Sequence, residues 1–238
     1  RRFQAAAAPY DQATAVQREI ADALARAITA AGVTQGGRVL ELGCGTGHLT
    51  RALLPRLEPS LWIASDIAPA MLIALRRDLE HPALTTALID ASWPDSEPGF
   101  DLVWSSLTLQ WLADPAAVVD RWRALVRSGG LLAFSTLLDG SFGQWRQAVT
   151  TAGEPEPGPA LPALTDWQAW LGPCARIRTV DLVERHADGL AFLKAARKAG
   201  VDASLERPLS AGAMRRALKS FEAGGATITY RAALIVLR

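Results

Sequence analysis

Cysteine, net charge and long apolar runs are all scarce in this 238-residue chain, and each shortage excludes something. Two cysteines, Cys44 and Cys174, cannot build a disulfide framework, and no Cys/His spacing suggests zinc. A reducing, cytoplasmic setting is the simplest expectation. Net charge is also nearly absent: 25 basic residues, 22 of them Arg, face 24 acidic ones, leaving +1. Such a balance supplies no broad drive toward nucleic acid or a membrane surface. Apolar runs are short, the stretch 232–237 being typical, against the ~20 residues that a spanning helix needs. The start, Arg1-Arg2-Phe3-Gln4, is basic without an apolar segment after it, so no cleavable leader is expected. It also lacks an initiating Met, which reads as a few residues missing ahead of Arg1.

What is present fits one sizeable α/β domain, with hydrophobic residues making up 50% of the chain. Apolar residues at Val16, Ile20, Ala23, Leu24 and Ile28 recur at helical spacing, predicting a helix over 12–31 that Gly32 ends. Strands are then predicted at 38–42, 61–65, 84–89, 100–105 and 131–136. Helices are predicted between them at 48–57, 68–79 and 115–127. Strands and helices alternating in this way argue for a doubly wound, mostly parallel sheet. After Thr136 the rhythm changes. Pro155, Pro157, Pro159 and Pro162 mark a loop, and helical patterns follow at 165–171, 189–198 and 210–221. Extended segments at 175–184 and 226–237 complete a seven-stranded sheet, with the intervening segments as a cap over its ligand edge.

The sharpest local signal is Val39-Leu40-Glu41-Leu42-Gly43-Cys44-Gly45-Thr46-Gly47, an apolar strand running into three alternate glycines before a helix. Glycines here let the backbone turn tightly and approach a ligand, with helix N–H groups facing it. The spacing is G-x-G-x-G, not the G-x-G-x-x-G of the dinucleotide fingerprint, whose last position holds His48. That speaks against a nicotinamide dehydrogenase. A glycine turn alone is equally a structural necessity, so its partners matter. Asp66 ends the second predicted strand, where a carboxylate can accept both hydroxyls of a ribose. Asp90 ends the third, in reach of an amine donor such as that of adenine, and Glu41 can face a cationic part of the ligand. A lone carboxylate is usually a cap or surface group; three at successive strand ends are not so easily dismissed.

The E-x-G-x-G-x-G run with Asp66 and Asp90 resembles the class I S-adenosylmethionine-dependent methyltransferases over roughly residues 36–136. That resemblance implies a Rossmann-like fold in which Gly43, Gly45 and Gly47 bracket the methionine part of S-adenosylmethionine. It puts Asp66 on the ribose, Ile67 and Met71 near the adenine, and Asp90 with Ala91 at the adenine edge. Met71 is equally readable as helix core. Ser105, at the end of the fourth strand, joins these cofactor residues. The passage Trp104 to Trp111 contains no Asn-Pro-Pro-Tyr-type tetrapeptide, and no extended basic patch exists, so nucleic acid is not the expected acceptor.

Several passages in order look like the malonyl-[acyl-carrier-protein] O-methyltransferase family of the biotin pathway. They are Phe3 through Tyr10-Asp11 to Gln17, Ser105-Ser106-Leu107 with Gln110-Trp111, 132–137 with Gly140-Ser141-Phe142, and Ile228-Thr229-Tyr230. The resemblance implies transfer of a methyl group to the free carboxylate of a malonyl thioester on acyl carrier protein. Tyr10 becomes a candidate lid residue, and Gln110, Trp111 and Tyr230 candidates for the acceptor cavity; simple packing explains Tyr10 or Trp111 as well. Family N-termini carry a basic residue where this chain has Ala5, and the family's Leu-Lys-x-x-Gly cap region is altered after Leu193-Lys194. The related trans-aconitate methyltransferases share the Gln-Trp passage, so a free small carboxylic acid is an alternative acceptor. A catalytically silent cofactor-binding scaffold is another reading.

A malonyl carboxylate is already ionised near neutral pH, so no general base and no catalytic residue are assigned. Cys44 reads as a small buried side chain, and His48, His81 and His186 as surface or capping residues without ligand spacing. Lys194, Arg197 and Lys198 crowd one predicted helix, and Arg215, Arg216 and Lys219 another. Either is a docking face for an acidic carrier protein or an ordinary solvated surface. The expected organisation is one domain over 1–238. It comprises an N-terminal lid and helix (1–35), a cofactor core (36–137), a cap-containing substrate region (138–225) and a final strand (226–238).

Overall fold

The computed structural model describes residues 15–33, 37–198 and 209–238. Its elements are α1 (Ala15–Ala30), β1 (Gly37–Leu42), α2 (His48–Leu53), β2 (Pro59–Asp66), α3 (Pro69–Asp78), β3 (Leu84–Leu88) and β4 (Phe100–Ser106). Then come α4 (Pro115–Leu125), β5 (Val126–Leu137), α5 (Gly143–Thr151), α6 (Leu164–Leu171), β6 (Arg176–Arg185), α7 (Gly189–Lys198), α8 (Ala211–Ala223) and β7 (Thr227–Leu237). Single 3-10 turns occupy Leu54–Arg56 and Leu109–Trp111. The seven strands form one sheet in the order β3-β2-β1-β4-β5-β7-β6. β7 runs antiparallel to both β5 and β6, and the other pairings are parallel.

Alternation along the buried strands divides the core between the two sheet faces. Val39, Trp62, Trp104, Ala133 and Leu234 pack with α1 and α2 on one face. Leu40, Val103, Phe134 and Ile235 pack with α4 and α6 on the other. Period-2 side chains buried on both sides are what a parallel sheet covered by helices demands. Of the five apolar positions that predicted α1, Val16, Ile20, Leu24 and Ile28 are buried, the last three completely, and Ala23 is partly buried against them. A third apolar cluster, built from Trp145 and Val149 of α5, Phe192 of α7 and Phe221 of α8, makes the cap a packed body of its own.

The structure departs from the sequence expectations in three places. α4 stops at Leu125 and β5 starts at once with Val126, which pairs with Phe100. The ladder slips between Phe100 and Leu102, and Gly130 lies in that irregularity. A Cβ on Gly130 would stand 2.7 Å from the Asp101 carbonyl oxygen, so the slip requires glycine. Second, α5 forms where no helix is predicted, held by burial of Trp145, Ala148 and Val149. Third, the predicted helix at 165–171 does not join the cap: Trp167 of α6 packs against Phe134, at 5.5 Å between ring centroids, beneath the sheet. Among the described residues, no helix is long and apolar enough to cross a membrane. Among them, too, no cluster of His, Cys, Asp and Glu could hold a metal ion.

Candidate active site

The strand order reverses between β1 and β4, where neighbouring strands send their connections to opposite sides and leave a crevice at their carboxyl ends. Strands that part here expose carbonyls, and serines satisfy them. Ser65 Oγ donates to Glu41 O at 2.8 Å, and Ser105 Oγ donates to Leu42 O at 2.7 Å. The β1 end is thereby tied to both neighbours just before the glycine turn.

Gly43, Gly45 and Gly47 all adopt left-handed φ, at 67°, 54° and 95°. Within the turn, Cys44 N donates to Ser65 O and Gly47 N to Cys44 O. A Cβ on Gly43 would lie 2.2 Å from Thr108 Oγ1 and 3.0 Å from Thr108 Cβ, so the β4 loop presses directly on the turn. Nothing stands within 4 Å of the corresponding position on Gly45. Gly43→Ala combines left-handed strain with displacement of Thr108. It is expected to cost about 2 kcal/mol, read as a lowered urea midpoint at unchanged m-value.

Asp66 closes the turn from β2. Its Oδ2 accepts from Gly45 N at 2.9 Å and its Oδ1 from Ala68 N at 2.8 Å. Each oxygen retains a lone pair for a ligand hydroxyl. Burial raises its pKa, against the backbone donors that favour the ionised form. Glu41 lies deeper, 1% exposed, its Oε2 accepting from Thr50 Oγ1 at 2.7 Å and Trp62 Nε1 at 3.0 Å. Desolvation lifts its pKa from 4.5 to about 7, outweighing these donors. Trp104 Nε1 also favours the ionised form, although it lies outside hydrogen-bond geometry and has no hydrogen-bond partner. Asp90 is exposed at the rim, with Oδ1 accepting from Ser92 N and Oγ.

Above these groups opens a cavity of about 630 Å3. Its sheet-side wall includes Glu41, Asp66, Ile67, Met71, Asp90 and Ala91, so these expected cofactor residues converge. Ile67 is 60% exposed and Met71 is 1% exposed, yet both border the cavity. Gln110, Trp111 and Tyr230 reach it as well, and Gln110 Oε1 is buried without a hydrogen-bond partner. Tyr230 stands edge-on to Phe142 at 5.0 Å and donates its hydroxyl to Glu184 Oε2 at 3.0 Å. Burial, then the Glu184 carboxylate, pushes the phenol pKa far up.

Ser105 is not brought to the cavity. Strand alternation turns its hydroxyl onto β1 and presents Ser106 instead. Tyr10 and Ala5 lie outside the described residues. Cys44 borders the cavity but is 7% exposed, and burial raises its thiol pKa, which disfavours a nucleophile. His48 borders the cavity, His81 Nδ1 accepts from Ala83 N in a turn, and His186 Nε2 lies 3.5 Å from Glu184. Lys194, Arg197, Lys198, Arg215, Arg216 and Lys219 are exposed on α7 and α8, away from the cavity wall. Arg216 is partly engaged, donating to Ala152 O at the end of α5.

Sequence reasoning missed the opposite wall, which α5, the proline-rich loop and α7 supply through Trp145, Arg146, Pro157, Pro159, Leu161 and Phe192. It also missed the strain: Leu107 and Phe142, both at the cavity, hold positive φ of 54° and 60° without being glycine.

The family described as "Methyltransferase domain" matches residues 40–132, the span from β1 into β5. A malonyl-[acyl-carrier protein] O-methyltransferase of Magnetococcus marinus is 32% identical over 229 residues, covering 93% of this chain and 85% of that protein. The chain belongs to the malonyl-[acyl-carrier protein] O-methyltransferase family. The biotin biosynthesis bifunctional protein BioCD of Bordetella avium is 39% identical over 234 residues. That match takes in 97% of this family member, which spans half of the bifunctional relative's length. Among solved structures, a methyltransferase of Bacillus halodurans superposes with a TM-score of 0.63 at 14% identity, over 90% of this chain and 97% of that one. Magnesium protoporphyrin IX methyltransferase from Synechocystis, with bound SAH, gives a TM-score of 0.58 at 17% identity, over 93% and 82%. Both share the Rossmann-like methyltransferase fold expected from the sequence.

Proposed function

We propose that the protein methylates the free carboxylate of a malonyl thioester carried on acyl carrier protein, using S-adenosylmethionine, giving the methyl ester used in early biotin biosynthesis. The observation that carries this reading is the convergence of left-handed Gly43 and Gly45 with Asp66 and Asp90 on the cavity wall in a chain of this family, Gly47 standing behind that wall. S-adenosylmethionine supplies a methyl group on a sulfonium, which a carboxylate oxygen attacks while the carbon–sulfur electron pair leaves with sulfur.

The residues present fit that cofactor. The open space at Gly45 admits close approach of the methionine portion, and Asp66 retains lone pairs for the ribose hydroxyls. Ile67 and Met71 offer an apolar wall to the adenine, beside Asp90 and Ala91. Three carboxylates on one wall favour a cationic ligand over an anionic one. An acceptor that is already an anion asks for alignment and exclusion of water, and an aromatic cap over the crevice suits both. Gln110, Trp111 and Tyr230 border the acceptor space in this reading, and Tyr10 is its lid.

The domain divides accordingly, with 36–137 holding the cofactor and 138–225 selecting the acceptor. The exposed Lys194, Arg197 and Lys198 of α7, with Arg215, Arg216 and Lys219 of α8, offer a charge-complementary face to an acidic carrier protein. Two free thiols, Cys44 and Cys174, suit a reducing cytoplasm. Intact-mass analysis of malonyl-carrier protein incubated with enzyme and S-adenosylmethionine should show the gain of one methyl group. Binding of the cofactor without transfer to the carrier-bound malonyl group, but with transfer to free tricarboxylic acids, would move the acceptor to a small acid.

A further inference from the structure

The cavity is electrically lopsided. Its three carboxylates, Glu41, Asp66 and Asp90, lie at the ends of β1, β2 and β3, on one side of the strand-order reversal. The other side, reached after β5, contributes Phe142, Trp145, Leu161 and Phe192, and one permanent charge. Arg146 of α5 is the only Lys or Arg among the described residues that line the cavity. No spacing rule singles it out among the arginines of the chain.

Arg146 is held rather than free to wander into solvent. Its side chain is 14% exposed; NH1 donates to Glu156 Oε1 at 2.9 Å and NH2 to Pro159 O at 2.9 Å. Those two bonds engage two of the five guanidinium N–H groups and leave three. Glu156 is 59% exposed, so water screens its charge far more than that of its partner. The anchors also belong to the proline-rich loop whose Pro157 and Pro159 border the cavity, which orients the fork without saturating it. An anion entering a mostly apolar cavity with three carboxylates across from it needs such a cation to repay its desolvation.

We propose that Arg146 is the residue that reads the acceptor's free carboxylate, binding it through its remaining N–H donors and distinguishing it from an uncharged group of the same shape. This rests on the carboxyl-methylation reading above and adds the recognition element to it. A planar guanidinium suits the role, because a carboxylate can take two parallel N–H bonds from one fork. Arg146 in this assignment touches the carboxylate that is to be methylated and holds it away from the acidic wall.

The test compares two carrier-bound ligands, malonyl and its terminal amide, which share a shape at the recognised end but differ in charge and in one acceptor oxygen exchanged for an N–H2 donor. Wild-type enzyme should methylate malonyl-carrier protein and bind the amide, scored as an inhibitor, at least about 30-fold more weakly. In Arg146→Ala and Arg146→Gln the KM for malonyl-carrier protein should rise by a similar factor. The carboxylate-to-amide preference should collapse toward one, with S-adenosylmethionine affinity unchanged by calorimetry. Glu156→Gln loosens the loop anchor but keeps the guanidinium, and should preserve the preference. If Arg146 only fastens the loop, Arg146→Ala and Glu156→Gln will weaken both ligands alike and leave the ratio intact, which overturns the assignment while the methylation reading stands. A wild-type enzyme that binds S-adenosylmethionine yet never methylates malonyl-carrier protein overturns both.

Discussion

Asp66→Ala is expected to lower affinity for S-adenosylmethionine by roughly 100-fold or more while the chain stays folded. Each carboxylate oxygen accepts one backbone N–H, from Gly45 and from Ala68. Bonds to an ionised acceptor are worth about 1.5–3 kcal/mol each, and alanine removes both along with the acceptor for the ribose. The glycine turn, whose three left-handed residues have no side chains to hold them, then loses the Gly45 tie to β2 and keeps only that from Cys44 N to Ser65 O. Asp66→Asn is not a mild substitute. Both oxygens face donors, so an amide of the same shape must set its own N–H2 against one of them. The asparagine variant should therefore fall nearer to alanine than to wild type. Titration calorimetry decides the matter, with far-ultraviolet circular dichroism as the check on folding. Wild-type affinity in either variant would remove Asp66 from the cofactor site.

The parts of this site that were legible in the sequence obey local rules. A strand that runs into alternate glycines, and a carboxylate at the end of the next strand, meet in space because parallel neighbours end together; Ser65 pairs with Leu42, one residue from each feature. Apolar periodicity located α1 and the strands for the same reason, since each rule acts within a few residues. Misreadings arose where tertiary contacts override such rules. Val126 extends the helical pattern of α4 in sequence, but pairing with Phe100 draws it into β5. Ser105 and Ser106 are chemically alike, and only the phase of β4 decides which one faces the cavity. α5 starts on Gly143 and ends in Thr150-Thr151, poor helix formers that burial of Trp145 and Val149 outweighs. Arg146 carries no local signature, because its meaning depends on the strand order that sets it across from three acids.

Glu41 should make the protein less stable as pH rises, and cofactor binding should take its proton away. The folded-state pKa is raised from 4.5 to about 7 because a fully buried carboxylate has lost its hydration. Between those two values the unfolded chain has released the proton and the folded chain still holds it. Stability contributed by this group thus falls as pH climbs through that window and is level above it. The difference amounts to about 3 kcal/mol. Glu41→Gln keeps an acceptor for Thr50 and Trp62 but cannot ionise. Subtracting its urea-unfolding free energies from those of ligand-free wild type, from pH 4 to 8, should recover that decline. A sulfonium entering the acid-lined cavity stabilises the ionised form and pulls the Glu41 pKa back down. Near pH 6.5, calorimetry in buffers of different ionisation enthalpy should then show proton release when wild type binds S-adenosylmethionine, and none in Glu41→Gln. Affinity should accordingly strengthen with pH up to about 7 in wild type and stay flat in the variant. Identical proton release by both proteins would mean that Glu41 shapes the turn through Thr50 and Trp62 without sensing the cofactor's charge.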